Sequence, residues 1–209
     1  DGDDGAGDEA DAAPTRTDDA ADGPFDPYDI DAAGEDRGLG AVSVSEGLRV
    51  AEDGEDTRLR AFVTVGNRER VRLGKYLVVP YPDDEVLFSR ITALEYEQEF
   101  RSDDATEIHA RRAMRRSGVE ERDYKFVASL DPVAVLFGDD GGLKRRMTDR
   151  VPKPGAVVRE ARDGDQIKTG LKIPGDGVFL GHLSVGGETV RTAADPPTID
   201  YRLKDDYGS

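Results

Sequence analysis

From Leu39 onward the apolar positions come in short β-branched and aromatic runs, not in helical stripes. AVSV (41–44), GLRV (47–50), LRAFVTV (59–65), KYLVVPY (75–81) and EVLFSRITALEYE (85–97) are such runs. Turn signals separate them at Glu46-Gly47, Asp53-Gly54, Gly66-Asn67 and Pro82-Asp83-Asp84. In LRAFVTV, Leu59, Ala61, Val63 and Val65 fall on one face and Arg60, Phe62 and Thr64 on the other, so one face is suited to a core. Two further strands are predicted over 124–130 and 133–137. The second runs through Gly138-Asp139-Asp140-Gly141-Gly142 into 143–148, completing a hairpin with a glycine-rich loop. The pattern predicts a mainly β chain: a small closed or partly open β-barrel with one or two short helices.

The first helix is predicted over 104–116. Ser102 or Asp103 can cap it, acidic residues occupy its first turn, arginines its last, and Gly118 lies just beyond. Its apolar face is thin, with Ala110, Ala113 and Met114, whereas Arg111, Arg112, Arg115 and Arg116 form paired rows one turn apart. The second helix is predicted over 163–169, after the PKPG loop at 152–155. Residues 1–38 are a different material. Arg16 is the only basic residue before Arg37, among Asp, Ala and Gly, and such a segment buries too little apolar area to offset its ordering entropy. It is predicted to be a disordered acidic tail. Within it, PFDPYDI carries Phe25, Tyr28 and Ile30 at the spacing of a small docking motif, or of a strip packed on the domain. At the other end, GVFLGHLSVGG and then TAADPPTIDYRLKDDYGS have the pattern of last strands handing over to another domain. The expected organisation is a tail at 1–38, a β domain at 39–203 with a helical insertion near 102–118, and a linker at 204–209.

Composition narrows the function classes. Of 209 residues, 45 are Asp or Glu and 29 Lys or Arg, giving a formal charge of −16. That excess, with few lysines and no Trp, matches a protein kept soluble at high salt, as in a halophile, where surface fields are screened within a few Å. An anionic chain is also a poor default nucleic-acid binder. The absence of cysteine excludes disulfides, thiolate metal sites and a cysteine nucleophile. No run approaches the roughly 18 apolar residues of a membrane span and no signal peptide is visible, so a soluble cytoplasmic protein is the expectation.

Candidate chemistry is sparse. No G-x-x-x-x-G-K-[ST] phosphate loop occurs; Gly74-Lys75 is the nearest string, and Tyr76 follows it. His109 and His182 lack the spacing of a zinc pair, and His182 in its strand suits a hydrogen-bonded structural role. There is no G-x-S-x-G elbow and no dinucleotide fingerprint. No catalytic residue, cofactor site or metal site is expected in this span, which is not expected to be an enzyme by itself. Two basic clusters stand against the acidic background: Arg111, Arg112, Arg115 and Arg116, and Lys144, Arg145 and Arg146. Each fits a solvated face neutralised by nearby carboxylates, a subunit contact, or a phosphate contact.

The carboxy-terminal half carries a resemblance. RVPKPGAVV, a short helix with IKTGLKIP, then GVFLGHLSVGG and PPTIDYRL follow one another in an order similar to the amino-terminal barrel (HAS-barrel) of HerA-type ATPases of archaea. The matching positions are Pro152, Pro154, Gly155, Gly170, Leu171, Gly181, Gly186, Gly187, Ile199 and Asp200. Upstream, VRLGKYLVVPYPDDEVLFSRITALEYEQEF resembles that family's early barrel, so the resemblance spans roughly residues 42–203. The acidic tail and the arginine-rich helix are not part of the family's pattern. The resemblance implies a truncated parent: a hexameric ATP-dependent DNA translocase or helicase whose ATPase core, with its ATP and Mg, lies beyond this span. In that family the barrel forms a ring collar and docks a NurA-like nuclease for end resection in DNA repair. Partners implied are further copies in a homo-oligomeric ring, the nuclease, and DNA through the full-length protein, with no membrane. Apolar residues around Val78, Tyr81 and Phe88 and the arginine-rich helix are expected at such contacts. The alternative is a stand-alone OB-like module binding single-stranded nucleic acid by aromatic stacking. Against it, no strand is read as presenting an aromatic pair beside basic residues.

Overall fold

The computed structural model describes residues 38–51, 56–98 and 124–204. The acidic tail with its PFDPYDI strip, the arginine-rich helix with Arg111, Arg112, Arg115, Arg116 and His109, and most of the 204–209 linker lie outside the described residues.

Seven strands form one antiparallel sheet: β1 (Gly40–Ser43), β2 (Arg60–Val63), β3 (Tyr76–Pro80), β4 (Val86–Gln98), β5 (Tyr124–Asp139), β6 (Gly142–Arg146) and β7 (Val157–Glu160). The order β2-β1-β7-β3-β4-β5 closes on itself because β2 also pairs with β5, from Arg60↔Ser129 to Val63↔Phe126. The chain is therefore a mainly β protein built on a closed six-stranded barrel, with β6 added outside along the second half of β5. Closure gives the six wall strands ladder partners on both sides along their shared lengths, which removes the exposed edges of an open sheet.

Alternation along the strands sorts the core. Leu77 and Val79 of β3, Leu87 and Ile91 of β4, Ala61 and Val63 of β2, and Phe126, Ala128 and Val135 of β5 are buried inside the barrel. The intervening residues of the β3–β5 wall are apolar as well. Val78, Phe88, Ala134 and Leu136 point outward into a second core, completed by Ala161, Ile167, Ile173 and Ile199. This is why KYLVVPY has an unbroken apolar run where a one-sided strand would alternate. The long β4 changes register twice, between Phe88 and Ser89 and between Ile91 and Ala93, bulges that bend it around the barrel. Val78, Tyr81 and Phe88, expected at a contact surface, are instead 9%, 5% and 0% exposed. The outer core covers the first and third, and Tyr81 belongs to the barrel interior.

The cover of the outer core is the single α-helix among the described residues, α1 (Gly164–Leu171), close to the span expected from sequence. The Asp163 carboxylate caps it, accepting from the backbone N–H of Asp165 at 2.8 Å and of Gln166 at 3.4 Å. Lys172 ends it in the left-handed conformation, φ 55°. Gly170 is required on steric grounds, because a Cβ there would lie 2.5 Å from the Phe88 ring and only glycine lets the helix approach this closely. Beyond α1 come β8 (Val178–His182), β9 (Ser184–Val185), β10 (Glu188–Thr189) and β11 (Asp200–Leu203), in two small sheets, β8 with β11 and β9 with β10.

Two sequence expectations shift in detail. GLRV contributes only an isolated bridge, Arg49↔Arg58, because its first residue, Gly47, is taken up in a turn at φ 84°. The last hairpin strand stops at Arg146, whose guanidinium is drawn to Glu85 and Asp149. A 3-10 helix at Val65–Arg70, which the hydrophobic pattern does not announce, links β2 toward β3. Among the described residues no helix is long and apolar enough to cross a membrane.

Gly170→Ala is expected to destabilise the protein by about 1–3 kcal/mol, the usual cost of overpacking, despite alanine's better helix propensity. Urea denaturation of the two proteins checks this; equal or greater stability of the variant would mean the Phe88 ring yields freely.

Candidate functional site: a basic cleft beside the barrel

A concavity opens where the 3-10 helix, the start of β3 and the end of β7 face the β9–β10 hairpin. It is about 1170 Å³ in volume. The hairpin reaches this position by lying against Gly74, where a Cβ would come within 2.9 Å of Val185. Gly74 itself has φ 84°, so both its conformation and its missing side chain are used. A backbone hydrogen bond from Ala193 N–H to Arg162 carbonyl, 3.2 Å, fastens the segment that follows the hairpin.

On a chain of charge −16, the cleft is lined by Arg70, Arg72, Lys75, Arg162 and Arg191 against Glu69, Glu160 and Glu188. Glu160 organises them. One of its oxygens accepts from Lys75 Nζ at 2.8 Å, and the other faces Arg162 at 3.4 Å and Arg70 at 3.8 Å. Burial pushes this carboxyl up, but the Lys75 hydrogen bond and the fields of Lys75 and Arg162 outweigh it and hold the carboxyl below its ordinary value. Glu160 is thus an ionised clamp that fixes three cationic stems at one side of the cleft. Arg72 and Arg191 are exposed. Apolar wall is supplied by Leu73, Leu94, Val185 and Val190, with Leu73 56% exposed. Such an arrangement can hold an anionic ligand that also offers apolar groups.

The second basic cluster expected from sequence lies elsewhere, on β6, and its members have intramolecular partners. Lys144 pairs with Asp139 across the hairpin turn. Arg145 donates to the Gly170 carbonyl at the end of α1 and to Val133 carbonyl at 3.2 Å, tying β6 to the helix. Arg146 binds Glu85 through two hydrogen bonds of 2.5 and 2.7 Å, and Asp149 at 3.2 Å. Next to it Arg150 forks onto Asp83 at 2.6 and 2.8 Å and lies 4.1 Å above the Tyr81 ring. The Tyr81 hydroxyl donates to Arg150 carbonyl at 2.9 Å, and burial, against the pull of Arg150, pushes its pKa up to about 12. These arginines fasten the loop after β6 to the β3–β4 turn.

Two further features come from register alone. Tyr96 sits opposite Phe126, so Tyr96, Tyr124 and Phe126 form a cross-strand cluster, with Arg68 5.6 Å from the Tyr96 ring. Aromatic residues beside a basic one therefore do occur, contrary to the sequence expectation, because they meet across β4 and β5 and through the 3-10 helix. Of the rings only Tyr96 is strongly exposed, at 56%, while Phe126 is buried. The other feature is the β8–β11 ribbon, which shifts register between Tyr201 and Arg202 and carries Val178, Phe179, Leu180, Tyr201 and Leu203 as exposed apolar side chains. His182 stands on this ribbon 3.4 Å from Asp200, a structural pairing with no second histidine among the described residues.

No family model matches the chain, and no curated protein matches it significantly.

The depressed Glu160 carboxyl has a definite pH signature. Its folded pKa lies below its unfolded one, so its contribution is fully present above the unfolded value and is lost as pH falls through the folded value. Glu160→Gln is expected to cost about 1.5–3 kcal/mol at neutral pH, the range for a hydrogen bond to a charged group, and to flatten the acid limb of the stability curve. Denaturation midpoints across the acid range check it; an unchanged acid limb would deny Glu160 this role.

Proposed function

We propose that this chain is the amino-terminal barrel of a HerA-like hexameric DNA translocase, serving ring assembly and the docking of a NurA-like nuclease. Catalysis, ATP and Mg belong in this reading to another domain of the parent protein, and the barrel contributes a rigid surface. The observation that carries the reading is the pairing of two strings on which the resemblance rests. GVFLGH and IDYRL, separated by sixteen residues, are joined as β8 and β11 in one ribbon. That ribbon stands outside the closed barrel and exposes Val178, Leu180, Tyr201 and Leu203, at 55%, 58%, 44% and 46%. On a chain with 35% charged residues, such an exposed apolar cluster favours a covering partner. A neighbouring subunit of the ring is the occupant this reading assigns.

A second reading, a stand-alone OB-like single-strand binder, draws on the Tyr96 cluster with Arg68. One well-exposed ring is a poor stacking platform, and the chain's charge opposes the phosphate contacts that dominate such binding.

In the parent protein, Leu180→Glu with Leu203→Glu is expected to abolish the hexamer in sedimentation velocity while circular dichroism keeps the barrel's β signal. An intact ring that still retains the nuclease would sink the assignment of this face. Titration of the isolated chain with labelled single-stranded DNA is expected to give no binding tighter than the roughly 10⁻⁴–10⁻⁶ M of non-specific contacts. Tight, steeply salt-dependent binding lost on Tyr96→Ala would instead establish the nucleic-acid module.

A further inference from the structure

The β8–β11 ribbon leaves one edge of β11 without a partner strand among the described residues, and the backbone shows which residues lie on it. The Pro197 carbonyl accepts from Thr192 N–H at 2.7 Å and the Ile199 carbonyl from Leu183 N–H at 2.9 Å, while a Cβ on Gly177 would lie 2.1 Å from the Leu203 carbonyl oxygen. The odd-numbered residues of this stretch therefore turn toward β8 and the segment that continues its line. Successive residues of a strand direct their N–H and C=O groups to opposite edges, so Thr198, Asp200 and Arg202 present theirs to the open one. An open hollow of about 430 Å³ lies there, lined by these three residues and by Asp163, Gly164 and Lys168 at the start of α1.

We propose that β11 pairs along this edge with β11 of a second copy, antiparallel about a two-fold axis at Tyr201. Register selects this arrangement. A hydrogen-bonded rung needs outward groups on both strands, so even-numbered residues must stand opposite even-numbered ones. An axis at Asp200 sets that carboxylate against itself, and an axis at Arg202 sets two guanidiniums together; like charges directly opposite are destabilising. An axis at Tyr201 instead sets Asp200 opposite the partner's Arg202, twice over by symmetry. It also brings Tyr201 opposite the partner's Tyr201, Ile199 opposite the partner's Leu203 and Thr198 opposite the partner's Lys204. The string IDYRL is thus its own antiparallel complement in charge and in apolar character.

Arg202 already donates to Asp200 of its own strand at 3.0 Å, and that pair is kept. The second copy adds the same pair running the other way, so four charges alternate in sign around the axis. Lys204 is brought toward the hollow of the other copy, which the exposed carboxylates of Asp165 and Asp195 also line. Tyr201 and Leu203, 44% and 46% exposed, gain apolar cross-strand neighbours. Such a contact is isologous and cannot close a ring, so it joins chains in pairs and leaves the apolar face of the ribbon open to a ring neighbour. With far fewer than the roughly 20–30 residues a side of a standard interface, it forms a weak, concentration-dependent dimer.

Sedimentation equilibrium of the full chain at low salt is expected to show monomer in exchange with dimer. Asp200→Arg and Arg202→Asp, each alone, put like charges on both central rungs and should weaken dimerisation roughly ten-fold. An equimolar mixture of the two variants restores opposite charges across the axis and should recover it, a rescue that a role confined to one chain cannot produce. Tyr201→Cys, in a chain without cysteine, places two thiols at the axis, where the roughly 4.5 Å Cα separation of a non-hydrogen-bonded pair suits a disulfide. Mild oxidation should link it far faster than Phe179→Cys on the neighbouring strand. A wild-type chain that stays monomeric at millimolar concentration would overturn the proposal, as would a mixture no better associated than its components. Equal cross-linking at both positions would place the contact elsewhere and overturn the register.

Discussion

The architecture depends on one strand being long enough to belong to two layers. β5 runs for 16 residues, and its first half closes the barrel by pairing with β2 while its second half carries β6. β4 pairs with it from Tyr124 to Leu136, so the two form the spine to which the shorter strands attach. Were β5 to stop near Leu130, the barrel would still close, but the outer wall under α1 would lose Ala134 and Leu136. The fold is thus a barrel and a sandwich sharing a wall, and the shared wall must be apolar on both faces. That requirement explains why the most hydrophobic strings of an otherwise acidic chain are concentrated in β3, β4 and β5.

Arginine does much of the fastening between these layers. Arg60, nearly buried on β2, holds Glu46 at 2.7 Å, Glu95 at 2.9 Å and Glu97, and its charge survives burial because three carboxylates surround it. Arg145 joins β6 to the end of α1, and Arg146 with Arg150 joins the following loop to the β3–β4 turn. The guanidinium fork suits each place, since every one requires two acceptors at once. Among the described residues much of the positive charge is therefore engaged inside the fold, while Arg72 and Arg191 of the cleft beside Glu160 stay exposed.

Much of the barrel is legible in the sequence, for a physical reason: period-2 runs bounded by glycine and aspartate turns encode strands locally, as in LRAFVTV and the 133–148 hairpin. The helix at Gly164–Leu171 is readable as well, placed within a residue or two after the PKPG loop. What is illegible is everything set by register between distant strands. Nothing near Tyr96 in the chain says that it meets Phe126, and nothing near Lys75 says that it meets Glu160, 85 positions away. Val78 and Phe88 look like surface residues in the sequence because an outward-facing residue of a barrel is exposed only if no second layer covers it. The cleft is hidden for the same reason: its cations come one or two at a time from separate segments and never form a cluster in the sequence.

The register of the spine carries one more implication. Gln98 and Tyr124 are direct partners at the far end of the β4–β5 ladder, so the 25 residues between them start and finish on the same rung. The pairs that close the barrel, from Arg60↔Ser129 to Val63↔Phe126, are made outside this span. Because closing a longer loop costs only slowly more entropy, this tip is a position at which related chains can gain or lose whole elements. The barrel is in this sense a socket with a variable fitting, and a feature such as the arginine-rich segment can be acquired without renegotiating the fold beneath it.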